Sequence, residues 1–350
     1  MHFVELKTVV PKHSSLPYEA HINNILLSHN LNRKLYLISM FDMEGIKIEF
    51  ENNSNYDFFV GRNVSRENLI CRSMKRRFIS SKNLLLEYLC KMLSLGRYCY
   101  LAIDSFEIEQ YMNYKEKHIV HSPLVAGIDF DNHLIKLCDF FNYSEYSVSW
   151  VNLDNFVNGY FNIQEIIETD VFSYDEKWLL DIETIEIFKN EFDWNSKSLL
   201  EGCFKKYLRG EQKYIYKENA FLKINSILNG EKICSLKEVE KVQGLKVYTF
   251  LKIYFNNLIK KNDFDIENKS LSLLKQHFVL LEKLLIEIDD LNIKRLCKEC
   301  LNSSERILVI GLKIKISQNT KMLGKICELI EEVEKKEEKI LRLFLESTKE

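Results

Sequence analysis

The spacing of apolar residues gives the C-terminal half of the chain a nearly pure helical rhythm. Leu274, Phe278, Leu281, Leu285 and Ile288 recur at steps of four and three, the seam of a packed helix. Leu323, Ile326, Ile330, Val333, Ile340 and Phe344 repeat the pattern, and Glu337 interrupts it. Residues 306–317 are ambiguous, because Leu312-Lys-Ile-Lys-Ile alternates as a strand does; the helical neighbours predict helix. Strand signals are sparse beyond about residue 170.

The N-terminal part has a mixed rhythm. Ser14 or Ser15 as cap, Pro17 in the first turn and Glu19 behind it mark a helix start. Residues 34–40 and 46–50 predict short strands, and residues 83–95 an amphipathic helix ending near Gly96. The apolar run 98–104 reads as a buried strand. Two strands follow, turning at Asp131-Asn132, and residues 150–159 predict a helix. The expected class is therefore α+β: an antiparallel-sheet domain over residues 1–165, then a mostly α-helical domain over 166–350.

Length favours two domains, and 46% hydrophobic residues suffice for a sizeable core. Only three prolines occur, Pro11, Pro17 and Pro123, so nothing after them breaks a helix in this way. A net charge of -2 gives no global pull toward nucleic acid or anionic lipid, and no apolar run is long enough to span a membrane. No signal peptide is evident at the N-terminus. The nine cysteines, odd in number and irregularly spaced, are expected to be reduced thiols of a cytoplasmic protein.

The candidate chemistry lies in residues 118–139. His121 stands at the mouth of an apolar strand, and the next strand ends on Asp139. Adjacent antiparallel strands can bring the two together, so that the carboxylate orients the imidazole and selects its tautomer. His118 and His121 form His-x-x-His, but no glutamate or further ligand follows at metal spacing; no metal and no cofactor are expected. His133 falls at the turn and is expected to be exposed. Cys297-Lys-Glu-Cys300 is a lone pair within a helical run and reads as packing cysteines. The basic cluster 72–77 reads as a solvated loop.

The run from Tyr98 through Asp104, Tyr111, Tyr114, His118, His121 and Gly127-Ile128-Asp129 to Asp139 resembles the papain-like proteins of the butirosin biosynthesis protein H N-terminal domain family, relatives of bacteriocin-processing cysteine peptidases. Gly311-Leu-Lys-Ile-Lys and the helix after it are similar to the C-terminal part of family members encoded beside peptide-synthetase genes. The resemblance implies a papain-like domain in which a cysteine at a helix N-terminus attacks a thioester and passes an acyl group from a carrier protein to an amine. His121 would match the base and Asp139 its orienting acid. Tyr18, Asp104, Tyr111, Tyr114 and His118 would line the binding site, and the partner would be an acyl or peptidyl carrier protein.

The opening helix departs from that pattern, since no cysteine precedes Cys71. Catalysis is lost and the fold binds a carrier or peptide intermediate; or Ser14 or Ser15 substitutes; or Cys71, beside Arg72, is recruited; or Ala20 replaces a cysteine. The first is preferred. The expected role is an accessory protein of peptide-type natural-product assembly. The alternatives are acyl transfer with a recruited nucleophile, and a structural interaction protein that uses its helical half.

Overall fold

The computed structural model describes residues 2–11, 17–29, 37, 41–50, 54–60, 69–142, 145–169, 177–187, 196–215, 220–231, 236–266 and 268–348. In chain order the elements are β1 (Phe3–Glu5), α1 (Pro17–Ser28), β2 (Met43–Phe50), β3 (Ser54–Val60), β4 (Leu69–Lys75) and α2 (Lys82–Ser94). Then come β5 (Tyr98–Tyr100), β6 (Ile103–Asp104), β7 (Val120–His121), β8 (Leu124–Asp129), β9 (Leu134–Asp139) and β10 (Ser147–Asn152). They are followed by α3 (Leu153–Thr169), α4 (Lys177–Leu180), β11 (Asp181–Ile187), α5 (Ser196–Arg209), β12 (Glu211–Ile215) and α6 (Ala220–Leu228). The last are β13 (Leu236–Gln243), α7 (Lys246–Lys261), α8 (Asn268–Leu284), α9 (Leu291–Ser317) and α10 (Leu323–Ser347). No helix among the described residues is long and apolar enough to cross a membrane.

The chain forms two compact units, and both are discontinuous. One comprises residues 1–32, 65–192 and 218–235; the other comprises 33–64, 193–217 and 236–350. The division does not fall at residue 165 as the sequence predicts. Strand pairing is the reason: β2 and β3 pair in the order β12-β13-β2-β3, which ties an early hairpin to late elements.

The first unit holds an antiparallel sheet in the order β10-β9-β8-β5-β11-β4, with β1 also on β8. The run 98–104, expected as one strand, is two: β5 joins this sheet, whereas β6 pairs with β7 in a separate ribbon. Residues 147–152 are strand, not the start of a helix, because β9 offers them an antiparallel partner with Trp150 opposite Lys136. The helix starts at Leu153. The strands expected at 34–40 lie outside the described residues, apart from Leu37.

Helix α2 shows how the local code builds the core. The Ser81 hydroxyl accepts from the Leu84 N–H and caps the helix. Leu85, Leu89 and Leu93 then fall on one buried stripe. Gly96 closes the end at φ 76°, where a side chain is strained. The stripe packs with Val125, Ile128, Ile135 and Leu137 of the sheet and with Phe156 and Tyr160 of α3. Each fully buried leucine contributes about 2 kcal/mol.

The basic cluster is not a solvated loop. It forms β4 and a short 3-10 turn, in which Arg76 is 1% exposed. Its guanidinium donates to the carbonyls of Ala102, Leu179 and Tyr160 and lies 4.2 Å over the Tyr160 ring. The second unit carries the four-stranded sheet with helices α5 and α7 to α10, so it is not purely helical. Its helix α9 spans 306–317 as expected, and Cys297 and Cys300 are buried within it. Leu236, Val239 and Val242 of β13 repeat at steps of three, a helical spacing that conceals a strand.

Candidate functional site

The geometry of β7, β8 and β9 joins His121 to Asp139. Cys138 pairs opposite Leu124, the first residue of β8, so Asp139 lies beside the segment entering that strand. His121 ends β7 just before that entry. Nδ1 of His121 stands 3.2 Å from Oδ2 of Asp139. The hydroxyl of Tyr111 donates to the same oxygen at 2.6 Å, and its ring lies 4.3 Å from the imidazole. Phe141 supports Tyr111 at 4.8 Å.

Asp139 is fully buried, whereas the His121 side chain is 9% exposed. Burial raises the Asp139 carboxyl, but the hydrogen bond and charge of His121, the nearby His21 and the Tyr111 hydroxyl outweigh it. The carboxyl lies below its ordinary value of 3.8. A carboxylate at Nδ1 holds the proton there, so Nε2 is the basic nitrogen. Such a pair can serve chemically as a general base with its orienting acid.

Helix α1 presents His21 to this region. His21 is fully buried, with Nε2 donating to the Ser122 carbonyl at 2.8 Å. Nδ1 therefore accepts, and the Tyr146 hydroxyl donates to it at 2.8 Å. Asn24 donates in turn to the Tyr146 oxygen at 3.3 Å, its own carbonyl accepting from the Val9 N–H. Burial pulls the His21 pKa down to about 4, against the charge of Asp139 and the Ser122 bond. At neutral pH the ring is an uncharged, fully bonded spacer. A single histidine among Ile22, Ile25 and Leu26 carries no spacing signal, so the sequence does not single out His21.

The remaining expected residues divide. Tyr111 belongs to the pair. Tyr18 donates to Glu183 at 3.1 Å and meets the Tyr100 ring edge-on at 5.3 Å, and Tyr100 in turn faces His21. Tyr114 lies near the Lys115 ammonium, 5.4 Å away. Ala20 is buried in α1. Ser14 and Ser15 lie outside the described residues. Cys71 sits on β4, opposite Ile185 of β11. Three strand spacings separate β4 from β8, roughly 14 Å at about 4.8 Å each. Arg72, its expected activator, faces Glu186 at 3.6 Å. Sheet order thus removes Cys71 from the pair. His133 is exposed at its turn, with φ 53°.

His118 and Asp104 form a second couple. Nδ1 of His118 lies 2.7 Å from Oδ2 of the fully buried Asp104, which also accepts from Asn162 at 3.1 Å. Phe106 stacks on the imidazole at 4.0 Å, and the Asn229 side chain binds both the N–H and the carbonyl of His118. Gly159 is required beside it, because a Cβ there would stand 2.3 Å from the Asp104 carbonyl oxygen. The two histidines therefore serve different carboxylates, and among the described residues no group of three or more potential ligands could hold a metal ion.

No family model matches the chain. No curated protein matches it either.

Proposed function

We propose that this is an accessory protein of peptide-type natural-product assembly, a papain-like homologue that binds a carrier-borne acyl or peptidyl group without cleaving it. The observation that carries the reading is the His121–Asp139–Tyr111 arrangement facing an opening helix that has His21 but no cysteine. A thiolate attack needs a low-pKa thiol at an electropositive site. The sulfur nearest in sequence to the pair, Cys138, is buried, and burial pushes it up to about 12.

A second reading, active acyl transfer, is favoured by one observation: the carboxylate still fixes the His121 tautomer. Incubation with an aminoacyl-thioester carrier protein and candidate amines separates the two. Under the binding reading the carrier associates, the thioester survives, and His121→Ala changes affinity alone. Amide product that disappears in His121→Ala would establish transfer and sink the binding reading.

A further inference from the structure

The outward face of α9 combines two features that the protein's own packing leaves unused. The first is charge segregation. From Arg306 to its end at Ser317 the helix has no aspartate or glutamate but contains Arg306, Lys313 and Lys315, in a chain whose net charge is -2. The second is an exposed aliphatic seam: Val309 is 49% exposed, Leu312 42% and Ile316 85%. Their steps of three and four place them on one narrow stripe of the helix. The opposite face of α9 carries Ile307, Ile310 and Ile314 into the core of its unit.

The two features share a register. With Val309 and Ile316 at a positions and Leu312 at d, Arg306 and Lys313 both fall at e, seven residues apart, flanking the seam. Neither forms an ion pair among the described residues. Lys315, at g, turns its ammonium inward to the Ile266 carbonyl at 2.8 Å. Glu305, the exposed carboxylate at the preceding d position, is met by Lys275 at 3.3 Å. The arrangement is half of a helix-pairing surface, in which the flanking charges choose the partner.

We infer that this face docks an amphipathic helix of a partner protein whose apolar stripe is flanked by carboxylates. Charge rules out a second copy of the same face, because Arg306 and Lys313 would meet their own kind. Width argues against a lipid surface, since interfacial helices use a broad apolar face with aromatic residues, and here three aliphatics follow one another along a single narrow stripe. The inference does not depend on the reading of His121 and Asp139, which the variants below leave intact.

The probe is a synthetic helix with leucines at a and d and glutamates at e and g, fluorescently labelled, titrated with the full chain. A matching peptide with lysines at e and g is the control. The glutamate peptide is expected to bind at least ten-fold tighter than the lysine peptide. Arg306→Glu with Lys313→Glu should invert that preference, and Ile316→Ser should weaken both by several-fold. Arg306→Gln with Lys313→Gln, a milder change at exposed positions, should abolish the preference, with circular dichroism confirming the fold. Equal binding of both peptides, or no binding of either, overturns the proposal. So does sedimentation showing that the chain self-associates through this face, or capture on phosphatidylserine vesicles that the charge-reversed variant loses while peptide binding is absent.

Discussion

One histidine–carboxylate pair from each unit, His277–Glu337 and His121–Asp139, shows how differently the same contact can be surrounded. In the second unit His277 and Glu337 are both fully buried and 2.6 Å apart. The other ring nitrogen of His277 donates to the Phe41 carbonyl at 2.9 Å, and the Tyr248 hydroxyl donates to the second oxygen of Glu337. Tyr207 stacks on the imidazole at 5.3 Å. Both ring nitrogens face acceptors, so the pair is closed to any ligand and serves to join α8, α10 and the segment carrying Phe41. In the first unit Asp139 engages His121 through Nδ1, and Tyr111 supports the carboxylate. That arrangement holds the ring proton at Nδ1. A buried carboxylate orients a histidine in both units, but at His277 a backbone carbonyl engages the other ring nitrogen as well.

Breaking the closed pair should have the largest effect. Glu337→Ala leaves His277 buried beside an unsatisfied site and should cost about 3–5 kcal/mol in urea unfolding. Replacing both partners, His277→Phe with Glu337→Leu, should recover most of that. A loss under about 1 kcal/mol in the single variant would mean that the pair contributes little.

His21 gives the next largest effect, and its sign follows from burial. Its folded value of about 4 lies below the ordinary 6.5, so between those limits the unfolded chain binds the extra proton. Stability is therefore lost as pH falls from 6.5 toward 4, by about 3 kcal/mol from this group. His21→Gln should flatten the pH profile of unfolding in that window relative to wild type, and an unchanged slope would contradict the buried neutral ring.

Asp139 behaves differently at lower pH. Its folded value is depressed, so its stabilisation is present above 3.8 and is lost as pH falls through the folded value. Asp139→Asn should remove that acid limb, and Tyr111→Phe should cost about 1 kcal/mol near neutrality. Nitrogen-15 spectra of His121 sharpen the point: the Nδ1–H tautomer should dominate in wild type and lose its dominance in Asp139→Asn. The smallest effect belongs to Cys71→Ser, expected within about 0.5 kcal/mol and without influence on the His121 spectrum.

The apolar period of 3.6 identified the later helices, and it also exposed Glu337 as an intrusion in a seam. What it could not show was the reason for that intrusion, because His277 lies 60 residues away on another helix. His121 and Asp139 were legible because one hairpin separates them, and a hairpin's register is a local property. The exclusion of Cys71 was not legible: chain order permits a Cys–His–Asp set, whereas the sheet inserts β5 and β11 between β4 and β8. The strand at 147–152 and β13 were missed for a related cause, since each depends on partners distant in sequence or masked by a helical spacing.

The sequence by itself determined the helices with one apolar stripe, the hairpin that carries His121 toward Asp139, and the absence of a cysteine from the opening helix. Tertiary structure alone decided which strands share a sheet, how the chain passes five times between its two units, and which groups surround each histidine. Periodicity and turn residues act over a few positions, so one chain segment encodes them. Burial, pKa and strand order are set by groups that only folding brings together.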